Sequence, residues 1–161
     1  KYNLSQTRRY AGIMDALSEA NVPVSNVRQI DYHTVFGSPV PSTSSYKSYE
    51  ELFFPVDYTA VIGFNDLQSY SAMEILKERG YRIPEDISLI SFDHLRKTHT
   101  YLPPLTSVAD NTDKSIADTA VSILLNKIKN LDSKFTGAVL PVTIFDEHTT
   151  GPVNKAFEAS F

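Results

Sequence analysis

The sequence predicts an α/β fold built on a doubly wound, mostly parallel sheet, and three observations carry that prediction. Short apolar runs rich in β-favouring residues alternate with stretches of helical period. The runs at residues 60–64 and 87–92 enclose one helical stretch. The whole unit takes about 35 residues, the length of a strand–helix–strand crossover, which makes the two strands parallel. Each run also ends on polar residues, Asn65-Asp66 after one and Asp93 after the other.

The elements follow in order. Residues 5–20 read as a helix, with Ser5 as N-cap and an i, i+3, i+4, i+7 stripe of Tyr10, Ile13, Met14 and Leu17; Asn21 and Pro23 end it. Residues 27–30 suit a short strand, with Asp31-Tyr32-His33 at its end. A loop over 36–45 precedes a second short helix marked by Tyr46, Tyr49, Leu52 and Phe53 and stopped by Pro55. After the strand at 60–64, Leu67, Tyr70, Met73 and Leu76 lie three apart, with Ile75 beside them. Gly80 suits the position past that helix, where φ is often positive, and Pro84 keeps the connection non-helical. Residues 94–104 are a loop and 105–109 a strand; a long helix starting at Thr112 or Asp113 carries Ile116, Ala120, Ile123, Leu124 and Ile128 on one side. A turn over 132–137 leads to an apolar strand at 139–145, whose Pro141 favours an edge or crossover position. The tail after Pro152 frays.

Composition bounds the function. The chain has 161 residues, one domain by length or a piece of a larger one, and 42% hydrophobic content, enough for a core. A net charge of −4 argues against phosphate-backbone binding by this chain. The absence of cysteine excludes disulfides, thiol catalysis and cysteine metal sites. His33, His94, His99 and His148 are scattered and make no metal-binding spacing. There is no G-x-S-x-G, no P-loop and no G-x-G-x-x-G. Asp66 and Asp93 as paired glycosidase carboxylates lack a further acid–base partner. The expectation is therefore a non-enzyme without metal or cofactor. No apolar run is long enough to span a bilayer. The chain starts at Lys1 rather than methionine, so an upstream region is expected.

In parallel α/β sheets, ligands bind outside the carboxyl ends of the strands. On neighbouring strands about 5 Å apart, Asn65, Asp66 and Asp93 share one crest. The same residues also suit plain capping, of the helix by Asp66 and of a turn by Asp93.

The motifs together resemble the lactose/galactose-repressor (LacI/GalR) family. They are Phe64-Asn65-Asp66; Gly80-x-x-Ile83-Pro84-x-Asp86-Ile87-Ser88; Phe92-Asp93; Pro103-Pro104-Leu105-Thr106-Ser107-Val108; Ser5-x-x-x-Arg9-x-x-Gly12; Leu140-Pro141-Val142; and Thr149-Thr150-Gly151. The similarity runs from Ser5 to Pro152.

The resemblance implies a fragment of a two-lobed, periplasmic-binding-protein-like core. Residues 1–104 and about 145–152 correspond to the C-terminal lobe. Residues 105–144 are the crossover strand and helix that pack with the other lobe, and 153–161 are the frayed tail. The strand before Ser5, the rest of the first lobe and the DNA-binding headpiece lie outside the chain. The resemblance also implies effector contacts at Arg9, Asn65 and Asp93. From the residues alone, Arg9 suits a solvated helix charge or an ion pair to Asp66 better than a ligand contact. Tyr32, at its strand end, suits stacking on a sugar ring or half-buried packing. Phe92 packs under the site, and Ser5 and Asp66 stand behind it.

Two departures stand out: His94 follows Phe92-Asp93 where an acidic or amide residue is common, and Glu147 replaces a commonly basic residue before Thr149-Thr150. The implied function is the effector-binding part of a cytoplasmic transcriptional regulator. It takes a sugar or similar small polar effector, forms a homodimer and reaches DNA only through the headpiece, with no membrane contact. The alternative is a sugar-binding protein of a transport system; the Ile-Pro-Glu-Asp-Ile-Ser and Pro-Pro-Leu-Thr segments favour the regulator. One structural expectation goes with the missing strand. Residues 27–30 and 60–64 should flank a vacant sheet position, and the apolar face of the 113–128 helix should need cover, from a second copy or from the rest of a longer chain.

Overall fold

The computed structural model describes residues 4–30, 51–110, 116–130 and 137–154. Tyr32, the 36–45 loop, the start of the helix around Tyr46 and Tyr49, the onset of the helix at Thr112 or Asp113, most of the 132–137 turn and the end of the tail lie outside those residues.

Helix α1 spans Leu4–Glu19. Ser5 therefore sits inside the first turn and is not the N-cap, because the helix begins a residue earlier. Asn21 ends α1 with φ 56. Its N–H donates to the Ser18 carbonyl at 3.0 Å, and Val22 N–H to the Leu17 carbonyl at 2.8 Å. This paired closure satisfies two carbonyls that the helix would otherwise leave open. Residues 27–30 form no strand, against expectation. Side chains hold the segment instead of a ladder: Arg28 donates to the Pro55 and Phe53 carbonyls and pairs with Asp57 at 2.9 Å, while Ile30 packs on Phe53, Ala72 and Ile75.

Strand β1 (Ala60–Ile62) leads into α2 (Asp66–Glu78) and then β2 (Ser88–Phe92). β3 is Ser107–Asp110, α3 Ile116–Lys129 and β4 Val142–Phe145. Among the described residues the sheet runs β1-β2-β3-β4. The first three strands are parallel, with Val61 beside Leu89 and Ser91 beside Ser107, and β4 is antiparallel, with Ser107 beside Phe145. The mostly parallel sheet is the one expected. Pro141 immediately precedes β4, which is an edge strand, as a residue without a backbone N–H requires. The other edge is β1, with Ala60 and Ile62 exposed.

α2 lies at the centre of the core. Ala72 and Ile75 pack on Phe53, while Met73 packs on Leu89 and Leu105. The buried residues are Asp66, Ser69, Ala72, Met73, Ile75 and Leu76, and Leu67 is 66% exposed. The helical period is the one the sequence predicts, but the buried stripe begins at Asp66 rather than Leu67: a polar pair, Asp66 and Ser69, occupies the inner face of the first turns. Gly80 has φ +86, and Gly80 N–H and Tyr81 N–H donate to the Lys77 and Leu76 carbonyls, both at 3.0 Å. That is the positive-φ helix ending its position predicted. α3 buries no residue; its Ile116, Val121, Leu124, Leu125 and Ile128 are at least half exposed.

Candidate functional site

The crest at the carboxyl ends of β1 and β2 is assembled from three stretches distant in sequence. Asn65 caps α2, its side-chain oxygen accepting from Gln68 N–H at 2.9 Å. The cap is thus Asn65 and not Asp66.

Asp66 is 1% exposed and ties three segments together. One carboxylate oxygen accepts from Leu95 N–H at 2.6 Å, and the other from Ser107 Oγ at 2.8 Å. A carboxylate loses its hydration on burial and must find hydrogen bonds in the protein; these two supply them. Asp66 therefore braces the β2–β3 loop from the interior.

Arg9 reaches the crest from α1. One guanidinium nitrogen donates to the Phe64 carbonyl, and the other to Asp93 Oδ1 at 2.6 Å. The guanidinium also stands 4.9 Å over the Phe92 ring. The partner of Arg9 is thus Asp93 rather than Asp66, which is out of reach in the interior. The Arg9 and Asp93 side chains are 30% and 41% exposed, so the pair faces solvent with hydrogen-bonding capacity left over. Phe92 is half-buried beneath the guanidinium. Ser5 is exposed one turn before Arg9 on the same helix. Tyr32 lies outside the described residues.

Asp93 and His94 adopt φ 101 and φ 49 in succession. Residues with a Cβ rarely occupy this half of the map, although Asp, Asn and His do so more often than most. His94 is 9% exposed, and its ring lies 4.0 Å from that of Phe145 at an interplanar angle of 7°.

Several contributors were not legible in the pattern. Gly63 admits no side chain: a Cβ there would meet Ser69 Oγ at 1.8 Å. Ser69 Oγ in turn donates to the Asn65 carbonyl at 3.0 Å and lies 2.8 Å from Ser91 Oγ in the interior. Thr149 is also buried. Its Oγ1 donates to the Leu89 carbonyl at 2.6 Å and accepts from Thr106 N–H at 2.9 Å, and Leu89 N–H donates to the Thr149 carbonyl at 2.7 Å. The Thr-Thr-Gly motif is thus a strap across β2. Glu147 pairs with Arg96, which also donates to the Leu102 carbonyl at 3.1 Å.

Residues 3–150 match the periplasmic binding protein-like domain. The chain belongs to that family. Within it the chain is of the LacI/GalR type, a regulator's ligand-binding domain. It is 36% identical over 123 residues to the HTH-type transcriptional repressor PurR of Aliivibrio salmonicida, covering 76% of this chain and 35% of that protein. It is 30% identical over 128 residues to PurR of Mannheimia succiniciproducens, covering 79% of this chain and 36% of the relative. The chain thus spans little more than a third of the length of these curated relatives. Among solved structures, a LacI family regulator from Enterococcus faecium with bound ribose superposes with a TM-score of 0.73 at 22% identity, over 92% of this chain and 52% of that one. A complex of the regulator CelR with cellobiose superposes with a TM-score of 0.62 at 22% identity, over 89% and 42%. These likenesses show the fold. The named homologues are transcriptional repressors and not enzymes. No helix among the described residues is long and apolar enough to cross a membrane.

Proposed function

We propose that this chain is the effector-sensing part of a cytoplasmic transcriptional repressor, and that its effector is a sugar or similar small polar metabolite held at Arg9 and Asp93. The carrying observation is the Arg9–Asp93 pair, 2.6 Å apart at the crest and partly open to solvent. The two charges cancel, so the site favours a neutral ligand over an ion. Asp93 supplies acceptors for hydroxyl groups, and Arg9 supplies further donors in a fixed plane. Asn65 Nδ2 is a further candidate donor on the same crest, and Tyr32, outside the described residues, is a candidate sugar contact from its place in the sequence alone. The ribose and cellobiose bound to structural neighbours support a sugar.

In this reading residues 1–104 and about 145–152 form one lobe, and 105–144 cross toward a second. The ligand acts only through different affinities for two arrangements of the lobes. Those arrangements alter how a homodimer presents its DNA-binding headpieces. The named repressor relatives favour a regulator over a transport protein.

Calorimetric titration of the intact protein with a panel that includes ribose, cellobiose and their neutral relatives tests this. A neutral sugar should bind, and Asp93→Ala should weaken it by about 1–3 kcal/mol, the range for a lost hydrogen bond to a charged group. Unchanged affinity in a folded Asp93→Ala variant would remove Asp93 from the site.

A further inference from the structure

The backbone turn that presents Asp93 holds two consecutive non-glycine residues at positive φ, 101 at Asp93 and 49 at His94. Such backbone persists where the surroundings over-determine it. Three sets of hydrogen bonds do so here. Asp93 N–H donates to the Val108 carbonyl of β3 at 3.0 Å. His94 N–H donates to Ser107 Oγ of β3, also at 3.0 Å. Asp66, at the start of α2, accepts from both Ser107 Oγ and Leu95 N–H.

The fourth restraint is a side chain. His94 is 9% exposed, and its imidazole lies flat on Phe145, the last residue of β4. Among the described residues, His94 Nδ1 is the one buried side-chain nitrogen or oxygen without a hydrogen-bond partner. An imidazole is therefore a costly way to fill that space, and packing alone would favour an apolar ring. Two requirements together explain it. The backbone needs one of the few residue types that enter the left-handed region readily, and the neighbour needs a flat ring. Histidine meets both. Phenylalanine meets the second, and asparagine meets the first.

We propose that His94 is the positioning residue of the effector site and that its stack on Phe145 couples the turn carrying Asp93 to strand β4. Ser107 sits opposite Phe145 in the ladder, so the stack and the Ser107 hydrogen bond address the same point of the β3–β4 pair. A displacement of β4 is then felt at Asp93. By the reciprocity of linked equilibria, a ligand held at Asp93 biases β4. This inference rests on Asp93 being an effector contact, but its test needs no ligand.

Residue-resolved amide hydrogen exchange on the 161-residue chain reads the turn directly through Asp93 N–H. His94→Asn keeps the turn preference and removes the ring, whereas Phe145→Leu keeps apolar bulk and removes the flat face. Each should speed exchange at Asp93 at least tenfold relative to the amides of Ile75 and Leu76 in α2. The double variant should add little beyond either single one, and Phe145→Tyr, which preserves the stack, should leave Asp93 as it is. Exchange at Asp93 that stays unchanged, that rises only in step with Ile75 and Leu76, or that responds additively in the double variant would overturn the proposal. If Asp93→Ala leaves sugar affinity intact while these exchange results hold, the effector assignment fails and the coupling of the turn to β4 stands.

Discussion

Arg9 and Asp93 lie 84 positions apart in the chain, yet their side chains meet at 2.6 Å. Each is an ordinary surface residue until the fold supplies the other. Arg9→Lys keeps the charge but loses the planar fork that binds Phe64 and Asp93 at once. It should weaken effector binding in the intact protein by roughly tenfold, about 1.4 kcal/mol, while leaving the melting temperature within about 3 °C. Calorimetry and thermal melts separate the two effects. Thr149 tests a different role. Thr149→Val preserves shape but leaves the Leu89 carbonyl and Thr106 N–H without this partner in the interior. The expected loss is about 1–3 kcal/mol of stability by urea unfolding. A smaller loss would mean that the strap is held mainly by its backbone bond to Leu89. The residue types at the crest were legible in the sequence because polar residues closed two apolar runs. The Arg9 partner was not, because distance across a fold is not encoded in spacing along a helix.

The two helices that precede tight turns show how far local chemistry reaches. Asn21 and Gly80 both close their helices at positive φ, and both positions announce themselves, one as an asparagine two residues ahead of Pro23 and one as a glycine. Gly80→Ala should cost about 1 kcal/mol, since a Cβ disfavours that conformation while nothing nearby crowds it. Gly63 behaves differently. Its Cβ would fall 1.8 Å from Ser69 Oγ, so Gly63→Ala must push α2 away from the end of β1 or break the Ser69–Ser91 hydroxyl contact. The expected cost is about 2–3 kcal/mol, in the range of overpacked cores, together with a loss of effector affinity as Asn65 and Asp66 shift. Urea unfolding and titration with the bound sugar measure both; a stability change below that of Gly80→Ala would contradict the close approach. Nothing about Gly63 in the sequence distinguishes it from a turn glycine. The need for it arises from the distance between a strand end and a helix it precedes by only a few residues.

At the scale of the molecule, charge and exposed surface govern behaviour. Asp86 receives hydrogen bonds from the Arg82 side chain at 2.8 and 2.7 Å and from Arg82 N–H at 2.9 Å, and Asn154 adds another at 3.2 Å. The Arg82 side chain foremost, then the Arg82 backbone, holds the Asp86 carboxyl down at about 2, from an ordinary 3.8. A depressed folded-state value contributes stability that is complete above pH 3.8 and is lost as pH falls toward 2. Asp86→Asn should therefore flatten the fall in stability across that window; an unchanged acid profile would deny the linkage. The exposed face of α3, with Val121, Leu124, Leu125 and Ile128, is a contiguous apolar surface of the kind that drives association. The 161-residue chain is expected to self-associate at high concentration. Leu124→Lys with Ile128→Lys should shift it toward monomer in sedimentation experiments, and a wild-type chain monomeric throughout would refute this.

What the sequence determined by itself is the architecture: strand–helix–strand alternation, helix ends at Asn21 and Gly80, an edge strand after Pro141, and a crest of Asn65, Asp66 and Asp93. These follow from periodicity, from φ preferences and from the missing N–H of proline, all of them properties of a few adjacent residues. The tertiary structure decided which of those crest residues does what. Asn65 caps, Asp66 is buried as a brace, and Asp93 faces Arg9. It also decided that residues 27–30 form no strand of the described sheet, and that His94 lies against Phe145. Burial and partnership depend on segments that are dozens of residues apart, and they are fixed only when desolvation and hydrogen bonding are satisfied together in three dimensions.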